Sequence, residues 1–302
     1  MTQSVAQTSA LQLAGTAKDE QTAQPAIALP MLGPPILAAP LLPPSPVRHV
    51  LRYPAVTSVL SLACFFLAWW AAATWTASPI QLPSPPAVAL ALVDLAQDGE
   101  MFENVSISFV RLLVSMAAAA LLALPLGFAM GLSDRVNSYV DPLMEMLRPI
   151  SGIAWIPLGL FIFGIGGTLP VFIMAYVAFF PMLLNTVAAV RGSDRKLVAA
   201  ARTMGVSPAR IVRLVVLPGA LPTIMVGVRI AFASAWAAII AAELIGSPSG
   251  LGFAIEWYRE LLMSANVFAY IIVVSAVGYA CDLLLQMLRR RLTPWSIGTD
   301  LA

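Results

Sequence analysis

Long apolar runs, separated by short charged or proline-rich segments, dominate this sequence and restrict the folds open to it. Several of these runs approach the roughly 20 residues that a helix needs to cross a bilayer. Of the 302 residues, 60% are hydrophobic and only 11% are charged, and the mean hydropathy is +0.87. A soluble domain needs more charge than this to cover its surface. The sequence therefore predicts an all-α, polytopic membrane protein.

We predict six membrane spans. They cover about residues 55–75, 107–132, 150–165, 169–190, 219–242 and 267–288. Prolines and glycines crowd the third run, so we expect that span to be bent or partly broken. Of the intervening segments, 76–105 is predicted to be a loop and 133–148 a short charged turn.

The basic residues indicate how these spans are oriented. Nearly all Lys and Arg outside the spans fall in the two terminal flanks and in segments 133–148 and 191–218, whereas the opposite loops hold only Arg259. Cytoplasmic loops are enriched in Lys and Arg, so both termini and segment 191–218 are expected in the cytoplasm. Six spans satisfy this alternation, and five or seven do not.

The domain organisation follows from these runs. Residues 1–46 are rich in Ala, Pro, Ser, Thr and Gln, and their repeated prolines prevent a continuous helix, so we predict a disordered or extended tail. This tail lacks the basic start of a signal peptide, because Lys18 is followed by two acids. Residues 47–295 are predicted to form the transmembrane domain, and 296–302 a short C-terminal tail.

Segment 191–218 stands out because it carries six of the 17 Lys and Arg residues but only one acid, Asp194. Its composition predicts a first short helix over Lys196–Met204. Gly205 then suits the end of that helix, because glycine readily adopts the left-handed conformation found there.

A second short helix is expected to follow immediately. Ser207 and Pro208 offer an N-cap and a first-turn proline, the helix covers about Ala209–Leu217, and Pro218 would close it. An ordinary cytoplasmic loop explains the positive charge but not this spacing. We therefore predict that the segment docks a soluble partner.

The spacing resembles the cytoplasmic loop of type I ABC importer permeases, which reads E-A-A, three residues, G, nine residues, I-x-L-P. The matching residues are Ala200, Ala201, Gly205, Val215 in place of Ile, Leu217 and Pro218. Ala199 stands where the family has Glu, which puts a carboxylate contact to the partner in doubt. Stretches 82–92, 108–111, 141–166, 179–186 and 241–253 are similar to the nitrate, sulfonate, taurine and bicarbonate branch of these permeases.

The resemblance, which spans roughly residues 80–295, implies a fold, partners and a location. The implied fold is a six-helix permease with two cytoplasmic coupling helices. The implied location is a bacterial inner membrane, where two copies of the chain would form a homodimer around the pathway. The implied partners are cytoplasmic ATP-binding-cassette subunits, a substrate-binding protein on the outer side, a second copy of the chain and membrane lipid, with no nucleic acid. The residues implied in ATPase docking are Ala199, Ala200, Ala201, Arg202, Gly205, Ser207, Pro208, Arg210, Leu217 and Pro218.

The substrate implied by the resemblance is a small anion such as nitrate, bicarbonate, a sulfonate or taurine. Related branches move aromatic acids or pyrimidine precursors, and the sequence leaves both alternatives open. An ion-coupled secondary transporter is another alternative, but inverted repeats and acids near the midplane are absent from the sequence. A non-transporting scaffold would need no helix-break spacing in segment 191–218.

The chain itself is not expected to be an enzyme. Its two lysines, Lys18 and Lys196, are not preceded by glycine, so the sequence contains no G-K-[ST] phosphate loop. ATP and Mg²⁺ would be bound by the partner ATPase, and no cofactor is expected in this chain. A single histidine, His49, and two cysteines argue against a His/Cys metal site.

Four ionisable residues fall at membrane depth, where they usually face the interior of a bundle. Counting residues along the spans matches Arg111 with Glu243 near the outer surface, and Arg229 with Asp282 in the cytoplasmic half. These sets are either structural ion pairs or, if an arginine attracts an anion, part of the pathway. Gly250 and Gly252, which lie beside Glu243, are candidates for an outer gate or for a plain turn.

Overall fold

The computed structural model describes the backbone of residues 54–296 and the side chains of residues 59–295. The predicted N-terminal tail, its basic flank with His49, and residues 297–302 lie outside this range. The chain divides into two compact units, 1–61 and 62–302. The first unit contributes only the start of the first helix to the described part, and all that follows concerns the second.

Every regular element in the described range is helical, which confirms the predicted all-α class. The α-helices are α1 (Pro54–Thr76), α2 (Pro85–Gln97), α3 (Glu100–Leu132), α4 (Asp134–Leu147), α5 (Ile156–Phe163), α6 (Thr168–Arg191), α7 (Arg195–Thr203), α8 (Pro208–Ile211), α9 (Leu217–Gly246), α10 (Leu251–Glu260) and α11 (Ser264–Leu292). Two 3₁₀ turns (Gly152–Trp155 and Pro294–Ser296) and a π-helical turn (Val212–Val216) complete the described elements.

Five segments of the described chain are long and apolar enough to cross a membrane. They are α1 from Val59, α3, α6, the continuous helix Pro208–Gly246 and α11. Helix α4 and the segment Gly152–Phe163 meet at an angle of 81°, so a bend is present, but it lies at the start of the predicted third run and joins that run to α4. The described part therefore has five spans, or six if the bent pair is one broken span, and the number six stays a prediction.

The interpretation of segment 133–148 as a short turn is wrong, because most of it forms α4. Ser133 caps this helix by accepting a hydrogen bond from the Val136 backbone N–H at 3.4 Å. Val136, Val140, Met144 and Leu147 recur at helical spacing and pack against the main core. This apolar stripe stabilises a helix despite the charges on its other faces.

The interpretation of segment 76–105 as a loop is also wrong. It contains α2 and the first turns of α3. Two prolines open α2, where a missing N–H costs nothing, and Val88, Ala91 and Leu95 are buried at helical spacing. Leu95 is only 2% exposed, so the burial of this stripe accounts for the helix that charge counting missed.

The main core lies between α3, α6 and α9, which approach one another through small residues. A Cβ atom added to Gly127 of α3 would lie 2.7 Å from the Cβ of Thr186 on α6. On the other side of α6, a Cβ added to Gly227 of α9 would lie 2.5 Å from the Cβ of Asn185. Such close crossings are typical of membrane helices, whose association depends on tight van der Waals packing.

A second apolar cluster joins α2, α10 and α11 at one end of this bundle, which we call the α10 end. It buries Val88, Leu251 and Tyr270, each at most 1% exposed. Trp69 of α1 stacks on Phe268 of α11 with ring centroids 5.8 Å apart. The opposite end of the bundle carries α7 and α8 and is called the loop end below.

Candidate functional site

Helix α7 is delimited by local interactions that its own sequence supplies. Asp194 caps its start by accepting a hydrogen bond from the Lys196 backbone N–H at 2.8 Å. At its end, the N–H of Gly205 donates to the carbonyl of Arg202 at 3.0 Å, and the N–H of Val206 to that of Ala201 at 3.1 Å. These two bonds form a Schellman motif.

Gly205 makes this helix end because its φ is +74°, in the left-handed region. A side chain there would cost about 1–2 kcal/mol, since Cβ crowds the carbonyl oxygen. The prediction that the first helix ends at Gly205 is confirmed, and its cause is backbone conformation rather than lack of space.

The segment between α6 and α9 is held against the bundle by a small apolar cluster. Ala201 of α7, Ile211 of α8 and Val216 of the π turn are 4–6% exposed and pack with Ala189 and Val190 at the end of α6. Because these residues come from four successive elements, the segment forms a fixed platform rather than a free loop.

Most of the residues implied in docking lie on the open side of this platform. Those with exposed side chains or backbone are Ala199, Ala200, Arg202, Gly205, Ser207, Pro208, Arg210 and Leu217. Pro218 is half-buried and Ala201 is buried. Met204, which the sequence analysis did not single out, is 75% exposed between Arg202 and Gly205. Ala201 can thus act on a partner only by fixing the position of α7.

The expectation that Pro218 closes the second helix is wrong. Residues Pro208–Gly246 form one continuous helix that runs through Pro218. In a regular α-helix the proline ring would clash with the carbonyl four residues earlier, that of Leu214. The π-helical turn at Val212–Val216 is wider, and we attribute the continuity of the helix to the room it provides.

A basic groove of about 570 Å³ runs between α7 and the turn that joins α3 to α4. Arg191, Arg195 and Arg202 line it together with a single acid, Asp134. Arg191 lies 3.7 Å from Asp134, and both side chains are exposed. This edge of the platform therefore carries excess positive charge toward the solvent at the loop end.

The α10 end contains a buried ion pair. The guanidinium of Arg111 on α3 donates to Glu243 of α9 at 2.8 Å, and their side chains are 11% and 0% exposed. Ser108, one turn before Arg111, donates to both carboxylate oxygens at 2.9 and 2.7 Å. Arg111 also donates to the backbone carbonyl and the hydroxyl of Ser249, at 2.7 and 2.8 Å. The predicted pairing of Arg111 with Glu243 is confirmed.

The glycines proposed as a gate close around this carboxylate. Gly250 has φ +106° and ψ 178°, a conformation that is essentially restricted to glycine. A Cβ there would lie 2.5 Å from both oxygens of Glu243. The N–H of Gly252 donates to Glu243 at 3.0 Å, and a Cβ on it would meet the Ile240 carbonyl at 2.6 Å. Their role as a gate stays a prediction.

Sequence reasoning missed the polar residues that complete this network. The N–H of Gly250 donates to Asn104 at 3.0 Å, and the N–H of Leu251 donates to the hydroxyl of Ser108 at 2.8 Å. Asn104 and Ser108 are both buried and lie two turns and one turn, respectively, before Arg111 on α3. Asn104, Ser108 and Arg111 recur at helical spacing on one face of α3. This spacing was the available sequence signal, because buried polar side chains require hydrogen-bond partners.

A second carboxylate, Glu100, ties α10 to the start of α3. Tyr258 of α10 donates to it at 2.7 Å and Tyr270 of α11 at 3.2 Å. Burial, together with the hydrogen bond to Glu100, raises the pKa of Tyr258 to about 12. Tyr258 is therefore a neutral donor at physiological pH, and this contact holds α10 over the bundle.

The second predicted pair is also present. Arg229 of α9 donates to Asp282 of α11 through Nε at 2.6 Å and through Nη2 at 2.8 Å. Its side chains are 44% and 28% exposed, and Asp282 also accepts from Gln286 at 2.9 Å. Because this pair is partly exposed, loss of one partner should cost less here than in the buried pair. A role of either arginine in an anion pathway stays a prediction.

The described residues contain no cluster of His, Cys, Asp and Glu that could hold a metal ion. The geometry described above gives two candidate sites, a basic platform at the loop end and a closed polar network at the α10 end. Neither brings a nucleophile, a general base and a substrate pocket together.

Comparison with known proteins identifies relatives over most of the chain. A family model described as "Binding-protein-dependent transport system inner membrane component" matches residues 119–294. The taurine transport system permease protein TauC of Escherichia coli (strain K12) is 36% identical over 254 residues, which cover 82% of this chain and 92% of that protein. The bicarbonate transport system permease protein CmpB of Synechococcus elongatus is 34% identical over 195 residues, 64% of this chain and 70% of that protein.

Among solved structures, a chain of the inward-facing MetNI methionine ABC transporter matches with a TM-score of 0.59. It is 19% identical, and the match covers 66% of this chain and 98% of that one. The two chains therefore share a fold.

Proposed function

The chain belongs to the family of binding-protein-dependent transport system inner membrane components and is the permease subunit of an ABC importer, and from this we propose that it forms the pathway for a small anion. The observation that carries the substrate class is the 36% identity to a taurine permease over 92% of its length. The similarity to a bicarbonate permease supports the same class.

The partner ATPase is proposed to dock on the platform formed by α7 and α8. Support comes from the fixed position of this segment and from its exposed residues, among them Arg202, Met204 and Arg210. Ala199 is exposed where the family has Glu, so a carboxylate from this position does not contribute. Docking then depends on the shape of the Gly205 break and on the basic side chains beside it. The continuous helix Pro208–Gly246 would carry movement of the platform directly into a membrane span.

The transporter is proposed to contain two copies of this chain. A groove of about 590 Å³ between the segment 148–153, α6 and α9 is open along one side of the single chain, which supports half of a pathway rather than a closed one. The remaining apolar surface of the spans would contact membrane lipid.

The substrate-binding protein is proposed to meet the α10 end. In this arrangement both termini and the platform lie in the cytoplasm, as the distribution of basic residues indicates. The loop at Gly250 and Gly252 would act as an outer gate, closed by Arg111 and Glu243. The support for this gate is that the loop residue Ser249 is held by hydrogen bonds from Arg111 itself.

The proposal is tested by purifying the chain with the ATPase and binding protein encoded beside it and by measuring ATP hydrolysis in proteoliposomes. Taurine, ethanesulfonate, bicarbonate and nitrate are supplied singly, with an aromatic acid and an uncharged sugar as matched controls. We expect at least one small anion to stimulate hydrolysis in the presence of the binding protein. Stimulation by the aromatic acid alone would contradict the substrate class, and a stable chain that binds no ATPase would contradict the assembly.

A further inference from the structure

The groove between the segment 148–153, α6 and α9 combines one cation with an apolar wall. Arg148, which follows α4, lines it together with the polar side chains of Ser151, Asn185 and Ser234. Ile150, Ile153, Val177, Leu184 and Ile230 contribute apolar surface, and the groove is also lined by Tyr176, Phe180, Pro181, Ala237 and Ala238. Its volume of about 590 Å³ falls in the range of small-molecule sites.

Two contacts show how deep in the bundle Arg148 lies. Helix α6 has 24 residues and is therefore about 36 Å long. Tyr176, eight residues after the start of α6 and so about 12 Å from the α10 end, donates to the carbonyl of Leu147 at 2.7 Å. From the other end, Asp134 lies beside Arg191, and α4 rises about 20 Å from there to Leu147. Both estimates place Arg148 near the middle of the bundle.

The charge of Arg148 is not neutralised within the chain. Arg111 and Arg229, the other arginines at membrane depth, are each paired with a carboxylate. In the part of the chain that the structure describes, no carboxylate forms an ion pair with Arg148, and none lines the groove. An exposed, unpaired guanidinium at this depth is costly beside lipid, so it needs water or an anion.

We infer that this groove is a substrate site within the permease itself, in which Arg148 binds the negatively charged group of the transported anion. Asn185 and Ser234 supply further polar contacts, and the isoleucine, valine and leucine side chains contact a short apolar chain. The ligand class is thus a small organic anion of the alkanesulfonate type. The inference rests on the proposed function, because it assigns the groove to the transported molecule.

The site at Arg148 does not depend on the pathway role of Arg111 and Arg229, which stays a prediction. Both arginines have their charge neutralised and donate hydrogen bonds to groups of the same chain. Arg148 was missed because it was placed in a short charged turn, and only the helical structure of α4 brings it to this depth.

The test measures how the groove selects charge, independently of transport. Ser234→Cys is introduced into the assembled transporter in a Cys64→Ser, Cys281→Ser background. The thiol is then modified with two methanethiosulfonates of similar size, 2-sulfonatoethyl and 2-(trimethylammonium)ethyl, and each rate is divided by that reagent's rate with free 2-mercaptoethanol. We expect the anionic reagent to be favoured about 10-fold or more, as charge focusing in a cleft allows.

Three variants define the source of this preference. Arg148→Gln should bring the ratio of the two rates close to one, and Arg148→Lys should keep most of it. Arg135→Gln, at the exposed start of α4, removes the same charge outside the groove and should leave the ratio unchanged. Any effect of Arg148 on thiol ionisation acts on both reagents equally and cancels in the ratio.

Uptake of ethanesulfonate by the same complexes separates this inference from the proposed function. A preference lost with Arg148→Gln, together with at least a tenfold loss of uptake, supports the site. If the two reagents modify Ser234→Cys at equal normalised rates while Arg148 is retained, the site is overturned, even if the complex imports anions. A preserved preference in a complex that imports no anion overturns the proposed function, and with it the substrate role of the groove.

Discussion

Glu243 and Arg111 form an ion pair at 2.8 Å in which the carboxylate is fully buried and the guanidinium is 11% exposed. Glu243 also accepts hydrogen bonds from Ser108 and from the backbone of Gly252. A buried charge is costly to strand, so the stability of the α10 end depends on all of these partners being present together.

Removing one member of this pair should destabilise the protein strongly. Glu243→Gln leaves Arg111 buried without a counter-charge, and we expect a loss of about 3–5 kcal/mol. Thermal unfolding of the detergent-purified chain measures this change. Glu256→Gln is the matched control, since its partner Arg259 is 64% exposed and the loss of stability there should be small. Equal effects of the two substitutions would contradict the assignment.

Exchanging charges should distinguish the two ion pairs. The doubly substituted Arg229→Asp, Asp282→Arg chain should recover most of the stability that either single substitution loses, because the pair is partly exposed. Arg111→Glu, Glu243→Arg should not recover, because Ser108 and the N–H of Gly252 would then face a guanidinium. The same unfolding assay reports both cases. Failure of the Arg229 exchange, or success of the Arg111 exchange, would refute this account.

The conformation of Gly250 predicts that the addition of one methyl group at this position strongly destabilises the folded protein. Gly250→Ala places Cβ 2.5 Å from both oxygens of Glu243 and also forces alanine into a conformation restricted to glycine. Gly99→Ala is the control, because Gly99 has φ +77° but nothing within 4 Å of an added Cβ. It should cost only about 1–2 kcal/mol. We expect Gly250→Ala to abolish recovery of folded protein by size-exclusion chromatography, and normal recovery would contradict the packing.

The crossing of α6 and α9 gives a further test. Gly227→Leu inserts a side chain where Cβ alone would lie 2.5 Å from the Cβ of Asn185, so the helices must separate. Gly219→Leu, on the same helix, meets nothing within 4 Å. The midpoint temperature of thermal unfolding should fall strongly with the first substitution and little with the second. A chain that tolerates both equally would show that the two helices do not pack in this way.

The sequence predicted those features that depend on local chemistry or on simple counting. Gly205 was identified as a helix end from the properties of glycine, and its φ of +74° explains why. Counting residues along helical spans paired Arg111 with Glu243. Asn104 and Ser249 could not be found in this way, because their contacts arise only when the segment after α9 folds back over α3.

Two errors have different physical causes. The charges of α4 hid an apolar stripe at Val136, Val140 and Met144, which becomes visible only when its packing against the core is known. At Pro218, a rule for regular α-helices predicted a break, but a π-helical turn keeps the helix continuous. In both segments, tertiary packing or a local change of helix type outweighed the preference read from composition.

The most direct measurement of the central claim is the number of anions imported per ATP hydrolysed. The complex of this chain with its ATPase and binding protein is reconstituted, and both rates are measured in the same proteoliposomes. We predict that Arg202→Glu with Arg210→Glu lowers this ratio at least about tenfold, as cooperating interface charges allow, while the matched pair Arg290→Glu with Arg291→Glu, at the exposed end of α11 and outside the platform, does not. An unchanged ratio in the platform variant would contradict the claim that α7 and α8 couple ATP hydrolysis to transport.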